Sequence, residues 1–282
     1  MLAPVFAGFF VATLVIALGW RPWSGRVAGE ATEQDGPVGG PWAVAIGAAV
    51  LTLSAYTINQ QGKLPPWPPE SWSALYWTGI PLLPLAVLGG RRLTLGGLVY
   101  FGLAAVSFWI AFGPYRANQW AEDSPLWIWL PCLSLAATLI YLGLERRAQR
   151  AGRGPEAPFQ LLLILGAGCK LMFDAGSSGA SLTLAGFCSL AGGLMVLGFW
   201  RKDLPVLRGV AAHLAWVPVA MVFQARFYAS LEDLPAVLML SALAAVGIPG
   251  GGKLAAALRT VLIGILLGLA LYLGWPAPNP YA

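Results

Sequence analysis

Charge is what this sequence has least of. Only 10% of its 282 residues are Asp, Glu, Lys or Arg, against roughly 25% in soluble domains, which excludes an ordinary hydrated globular domain. There is a single histidine, His213, so a metal or haem site would lack the further ligands it needs, and neither metal nor cofactor is expected. The three cysteines, Cys132, Cys169 and Cys188, fall inside apolar stretches, and an odd number there argues for buried thiols over a disulfide framework. Reaction signatures are missing too. There is no paired-aspartate motif for prenyl diphosphates, no His/Glu zinc motif and no G-x-S-x-G elbow. A nucleophile set built from Cys169, Arg208 and His213 fails, because Arg208 and His213 would lie at different depths of one helix. The sequence argues against an enzyme.

What the chain does have is apolar length. Hydrophobic residues make up 58% of it, gathered into stretches near 2–20, 42–58, 72–90, 93–113, 125–144, 157–174, 181–200, 204–223, 235–249 and 254–274. Each approaches the ~20 residues that the hydrocarbon core of a bilayer demands of a helix. Together they leave only short connections. The expectation is an all-α integral membrane protein, one transmembrane domain over 1–282, with a polytopic bundle of about ten helices. The third, sixth and ninth stretches are interrupted, by Pro81 and Pro84, by Lys170 and by Pro249. The first lacks a preceding basic residue and a cleavage site, and reads as a retained helix.

The loops alternate in charge. Odd-numbered loops carry Arg21, Arg26, Arg91, Arg92, Arg146, Arg147, Arg150, Arg153, Arg201, Lys202 and Lys253. Even-numbered loops carry Lys63, Arg116 and Arg226 beside several carboxylates. Because Lys and Arg are retained on the cytoplasmic side, both termini should lie outside a bacterial-type inner membrane. The net charge of +5 then faces anionic lipid. Membrane lipids are the expected partners, with other membrane subunits in one of the two readings below, and nucleic acid is not. The 13 Trp residues cluster at the ends of the stretches, as an interfacial belt would. The run Lys63-Leu-Pro-Pro-Trp-Pro-Pro-Glu70 cannot be helical, and should lie along the outer surface, held by Trp67 and Trp72.

Charged landmarks repeat at an offset of 110 residues: Arg91-Arg92 with Arg201-Lys202, and Arg116, Glu122, Asp123 and Pro125 with Arg226, Glu232, Asp233 and Pro235. Four spans per unit preserve orientation, which implies a parallel four-helix internal repeat related by an axis along the membrane normal. The same Glu-Asp-x-Pro runs suit helix starts, with Arg116 and Arg226 as anchors that pair with the carboxylates. The alternative is an outer gate of two charge clusters.

Lys170 and Asp174 share a helix face. Ionisable groups within a span are costly and usually face a partner or a wet cavity. They define the candidate ligand-binding site, an outer polar vestibule with Asn59, Gln60, Gln61, Ser177, Ser178 and Ser181; the plainer reading is a lysine snorkelling to its own aspartate. His213 falls near the midplane of the eighth stretch, either bonded to a neighbouring helix or relaying protons. Arg208 and Arg259 read as packing or lipid contacts. Small residues at Ala185, Gly186, Gly192, Gly193, Gly264 and Gly268 should let helices approach closely within the chain. Two functions follow. One is a permease-like carrier of a small or lipid-linked molecule; the other is a non-catalytic accessory or structural subunit of a larger membrane complex.

Overall fold

A computed structural model describes residues 39–60, 62–69, 71–86, 92–114, 126–150, 155–200, 207, 209–250 and 252–275. Among them the secondary structure is entirely helical: α1 (Gly39–Asn59), the four-residue α2 (Ala74–Trp77), α3 (Leu93–Ala111), α4 (Leu126–Arg150), α5 (Glu156–Asp174), α6 (Ser178–Trp200), α7 (Ala211–Tyr228), α8 (Asp233–Val246) and α9 (Lys253–Leu273). Five of these, α3, α4, α5, α6 and α9, are long and apolar enough to cross a membrane. The expected span at 2–20 lies outside the described residues.

Backbone polar groups have no water to turn to in a hydrocarbon core, so helices satisfy them internally. Hydroxyls follow the same logic. Thr52, Ser134, Thr138 and Thr183 each donate to the carbonyl four residues back, at 2.7–2.8 Å, so their hydrogens are satisfied within their own helices. Pro131 and Pro218 are accommodated inside α4 and α7.

The architecture is organised around α7. Every residue from Ala211 to Ala225 is buried, as is Phe227. A helix buried on all sides belongs in the centre of a bundle, and α1, α4, α5, α6 and α8 all pack on it. Its aromatic side chains interlock with α3: Phe108 meets Trp216 and Phe223 with ring centroids 5.1 and 5.2 Å apart. Around this core, α5–α6 and α8–α9 form closely packed hairpins, the first turned by Gly176 at a φ of 81°, a conformation that suits glycine. The outward stripe of α9, Leu254, Leu258, Val261, Ile265, Leu269 and Tyr272, is exposed.

Two expected spans need correction. The third, 72–90, is not one helix in its described part. A 3-10 turn (Ser71–Ser73) leads into α2, and the chain then runs through turns to Leu85 and Ala86. Pro81 and Pro84 supply no amide, and hydrogen bonds three residues apart, Gly79 to Tyr76 and Ile80 to Trp77, replace the regular ladder. The eighth, 204–223, is shifted: α7 begins at Ala211 and continues to Tyr228. Gly209, at a φ of 88°, sets the break before it. Small-residue packing also differs from expectation. A Cβ on Gly186 would meet Leu51 at 3.3 Å and one on Gly192 would meet Leu162 at 3.7 Å, whereas Gly264 and Gly268 meet no described atom within 4 Å.

Candidate functional site

The broken segment 71–86 is held by one face of α7. Tyr228 Oη donates to the Ala111 carbonyl at 2.5 Å and lies 2.9 Å from Ser71 Oγ. Tyr76 Oη donates to Gln224 Oε1 at 3.2 Å, with Thr183 Oγ1 at 3.4 Å. Trp216 Nε1 donates to the Leu75 carbonyl, and His213 Nε2 to the Gly79 carbonyl, each at 2.9 Å. The Thr78 and Ser107 hydroxyls, 2.6 Å apart, tie the same segment to α3.

These contacts have an order. Residues 213, 216, 224 and 228 fall on one face of a helix at 3.6 residues per turn. Their partners run the opposite way along the broken segment, from Gly79 through the neighbouring Leu75 and Tyr76 to Ser71. The result is an antiparallel polar seam inside an otherwise apolar bundle. Irregular backbone at membrane depth is tolerated only where protein or a wet cavity covers it, and α7 provides that cover. His213 is wholly buried. A carbonyl only accepts, so Nε2 carries the hydrogen and Nδ1 presents a lone pair, which is buried without a partner among the described residues.

A second cluster joins the α4–α5 and α8–α9 connections. Glu156 Oε1 accepts from Arg147 at 2.5 Å, from Arg259 Nη2 at 2.9 Å and from Gln160 at 3.1 Å. Arg147 also donates to the Val246 carbonyl at 2.5 Å, and Arg259 to the Gly250 carbonyl at 2.9 Å. Both guanidiniums are 7% exposed and the carboxylate 35%. Arg259, expected among packing or lipid contacts, is instead an interior ion-pair partner. This cluster escaped the sequence reading entirely, because its members come from three different helices.

Lys170 and Asp174 do form an ion pair on α5, and the lysine Nζ lies 4.7 Å from the centroid of the Trp275 ring. The Lys170 side chain is 48% exposed. Its described partners are therefore peripheral. Gln60 is half-buried at the end of α1 and Ser178 is exposed at the start of α6, with no described hydrogen bond from either to the pair. The side chain of Asn59 lies outside the described residues. So do Arg116, Glu122 and Asp123. Arg226 pairs with Asp233 at the start of α8, and Glu232 immediately precedes that helix. In the proline-rich run, Trp77 rather than Trp72 holds the chain: its Nε1 donates to the Pro66 carbonyl at 2.9 Å, and its ring lies against Trp67. Trp72 packs on Tyr56 and Tyr76.

The described residues thus define a helical membrane protein with a partly buried, broken segment packed against its central helix. Comparison with family models, with curated proteins and with solved structures finds no match to this chain.

Proposed function

We propose that this chain is a permease-like carrier of a small or lipid-linked molecule, with the seam between α7 and residues 71–79 as its functional centre. The observation that carries this reading is the seam itself. Carriers place broken helices and polar side chains near the bilayer midplane, where a passing molecule can exchange hydrogen bonds with them. A scaffold with no cargo needs no such interruption. Lys170, Asp174, Asn59, Gln60 and Ser178 become, at most, an outer antechamber to that centre.

The proposed topology has ten spans, with 2–20 as the first and 72–90 as a broken third, and both termini outside a bacterial-type inner membrane. The Arg147/Arg259 end faces the cytoplasm, in keeping with the loop charges, and Trp residues mark both interfaces. The parallel repeat remains part of this proposal. Its second unit is supported by the Arg226–Asp233 pair.

One observation favours the accessory-subunit reading: the outward stripe of α9 is unpartnered among the described residues, and a partner helix could cover it as readily as lipid. Gentle purification from the native membrane, followed by mass spectrometry, separates the two. The carrier reading expects a lone chain enriched in one small molecule or lipid, with that enrichment lost in Gln224→Leu. Stoichiometric protein partners and no cargo would sink it.

A further inference from the structure

We propose that His213 Nδ1 is a proton-binding site, and that taking up a proton favours a hydrated conformation in which the Gly79 contact is released. Its use, as the coupling ion of a carrier, rests on the reading above; its chemistry does not. Three observations lead here. His213 is the chain's only histidine, and it sits where the break before α7 meets the break after α2. Its Nε2–H is committed to Gly79. Its Nδ1 lone pair is buried and has no partner among the described residues, so one nitrogen is structural while the other is left over.

The titratable groups on the elements packed around α7 can be named. They are Arg226 and Tyr228 of α7 itself, Tyr76 of the broken segment, Tyr56 of α1, Tyr100 of α3, and Cys132, Tyr141, Glu145, Arg146 and Arg147 of α4. Cys169, Glu156, Lys170 and Asp174 come from α5, Cys188 from α6 and Asp233 from α8. None of them has a described hydrogen bond to the imidazole. Tyr100 reaches its neighbourhood, donating to the Ala212 carbonyl at 3.4 Å, but a neutral phenol cannot balance an imidazolium.

The sign follows from those contacts. Protonation strengthens the donor at Nε2 modestly, yet creates a second N–H and a charge for which the described residues supply neither acceptor nor counter-ion. Burying an unpaired charge costs far more than one improved hydrogen bond returns. The sealed conformation therefore binds the neutral ring, and the proton-bound ring belongs to a conformation that water reaches. By linkage, acid shifts the population towards the hydrated state and alkali towards the sealed one. No covalent step is involved: one proton adds to the Nδ1 lone pair and leaves by the same route.

The test uses the full chain in lipid bilayers, labelled with nitrogen-15 histidine, so that a single imidazole reports. At neutral pH the Nε2–H tautomer is expected. On acidification a doubly protonated ring should appear reversibly, with magnetisation transfer from water. His213→Gln keeps an N–H donor for Gly79 and removes the proton site. Hydrogen exchange of the 74–86 amides, corrected for its intrinsic pH dependence, should rise several-fold with acid in the parent chain and stay flat in the variant. Three results would overturn the proposal: an Nδ1 unprotonated until the protein unfolds, an imidazolium with no water contact, or an unchanged pH response in His213→Gln. None of these depends on cargo, so the carrier reading is judged separately by co-purification.

Discussion

Gly143 of α4 and Gly247 at the end of α8 meet backbone to backbone. A Cβ built on Gly247 would lie 2.7 Å from the Gly143 Cα, and one on Gly143 would lie 3.0 Å from the Gly247 Cα. No flexible side chain stands at this crossing to give way. Close approach of small residues is a main source of helix association in lipid, where burial of apolar surface drives little. Gly247→Ala should therefore destabilise the folded protein by about 1–3 kcal/mol through overpacking, read as a lowered thermal midpoint in detergent. An unchanged midpoint would show that the two helices separate freely.

Glu156 is the shared acceptor of two buried guanidiniums. Removing it as Glu156→Ala strands both Arg147 and Arg259, each of which keeps only backbone carbonyls as partners. Breaking one side of a buried ion pair costs about 3–5 kcal/mol, and the partial exposure of this carboxylate places the expected loss at the lower end. Reversible unfolding in mixed micelles would measure it. A loss below about 0.5 kcal/mol, the size of a surface pair, would mean the cluster is solvated.

Lys170 offers the contrast. With half its side chain exposed and its aspartate one turn away, Lys170→Met should change stability by less than about 1 kcal/mol. If the same change removes a co-purifying molecule, the antechamber near Asp174 takes part in binding. If enrichment survives, the pair is an interfacial anchor.

The seam should be sensitive where Lys170 is not. Trp216→Phe keeps an aromatic ring against Phe108 but leaves the Leu75 carbonyl without its donor, a cost of about 1–3 kcal/mol for a buried group. Tyr228→Phe removes the link between Ser71 and Ala111 and should cost about 1 kcal/mol. Hydrogen exchange localises both effects: protection should fall at 71–79 and hold in α5 and α6. Uniform loss across the bundle would count against a distinct seam.

Gly264 and Gly268 supply a negative control. Leucine at either position meets no described residue, so the thermal midpoint should move by no more than about 0.5 kcal/mol equivalent. Cross-linking of the same variants in membranes tests the outward face. A dimer present in the parent chain and absent in Gly264→Leu would assign that stripe to a second copy.

Most helix bounds were legible in the sequence, and the reason is local. α3, α6 and α9 are uninterrupted apolar runs closed by charge or glycine, so composition alone marks their ends to within a few residues. The third stretch misled because its mean hydropathy is that of a span, while Pro81 and Pro84 deny it a regular ladder. α7 was misplaced because apolar residues continue upstream of Gly209, whose positive φ is invisible to hydropathy. The seam did leave a trace. His213, Trp216, Gln224 and Tyr228 recur at helical spacing on one face, a pattern missed when polar residues are weighed singly. The Glu156–Arg259 pair left none, since its members stand 103 residues apart and meet only through the packing of α5 against α9.

The enclosure of α7 has a consequence for how the protein is made. In the finished bundle this helix touches almost no lipid, yet the ribosome delivers it before α8 exists to cover it. His213, Gln224, Arg226 and the carbonyl freed by Pro218 make it a poor substrate for solitary insertion. It must be retained at the translocon against its predecessors until α8 arrives. Truncation before residue 233 should therefore yield a chain that is recognised by membrane quality control and degraded, rather than a smaller stable bundle.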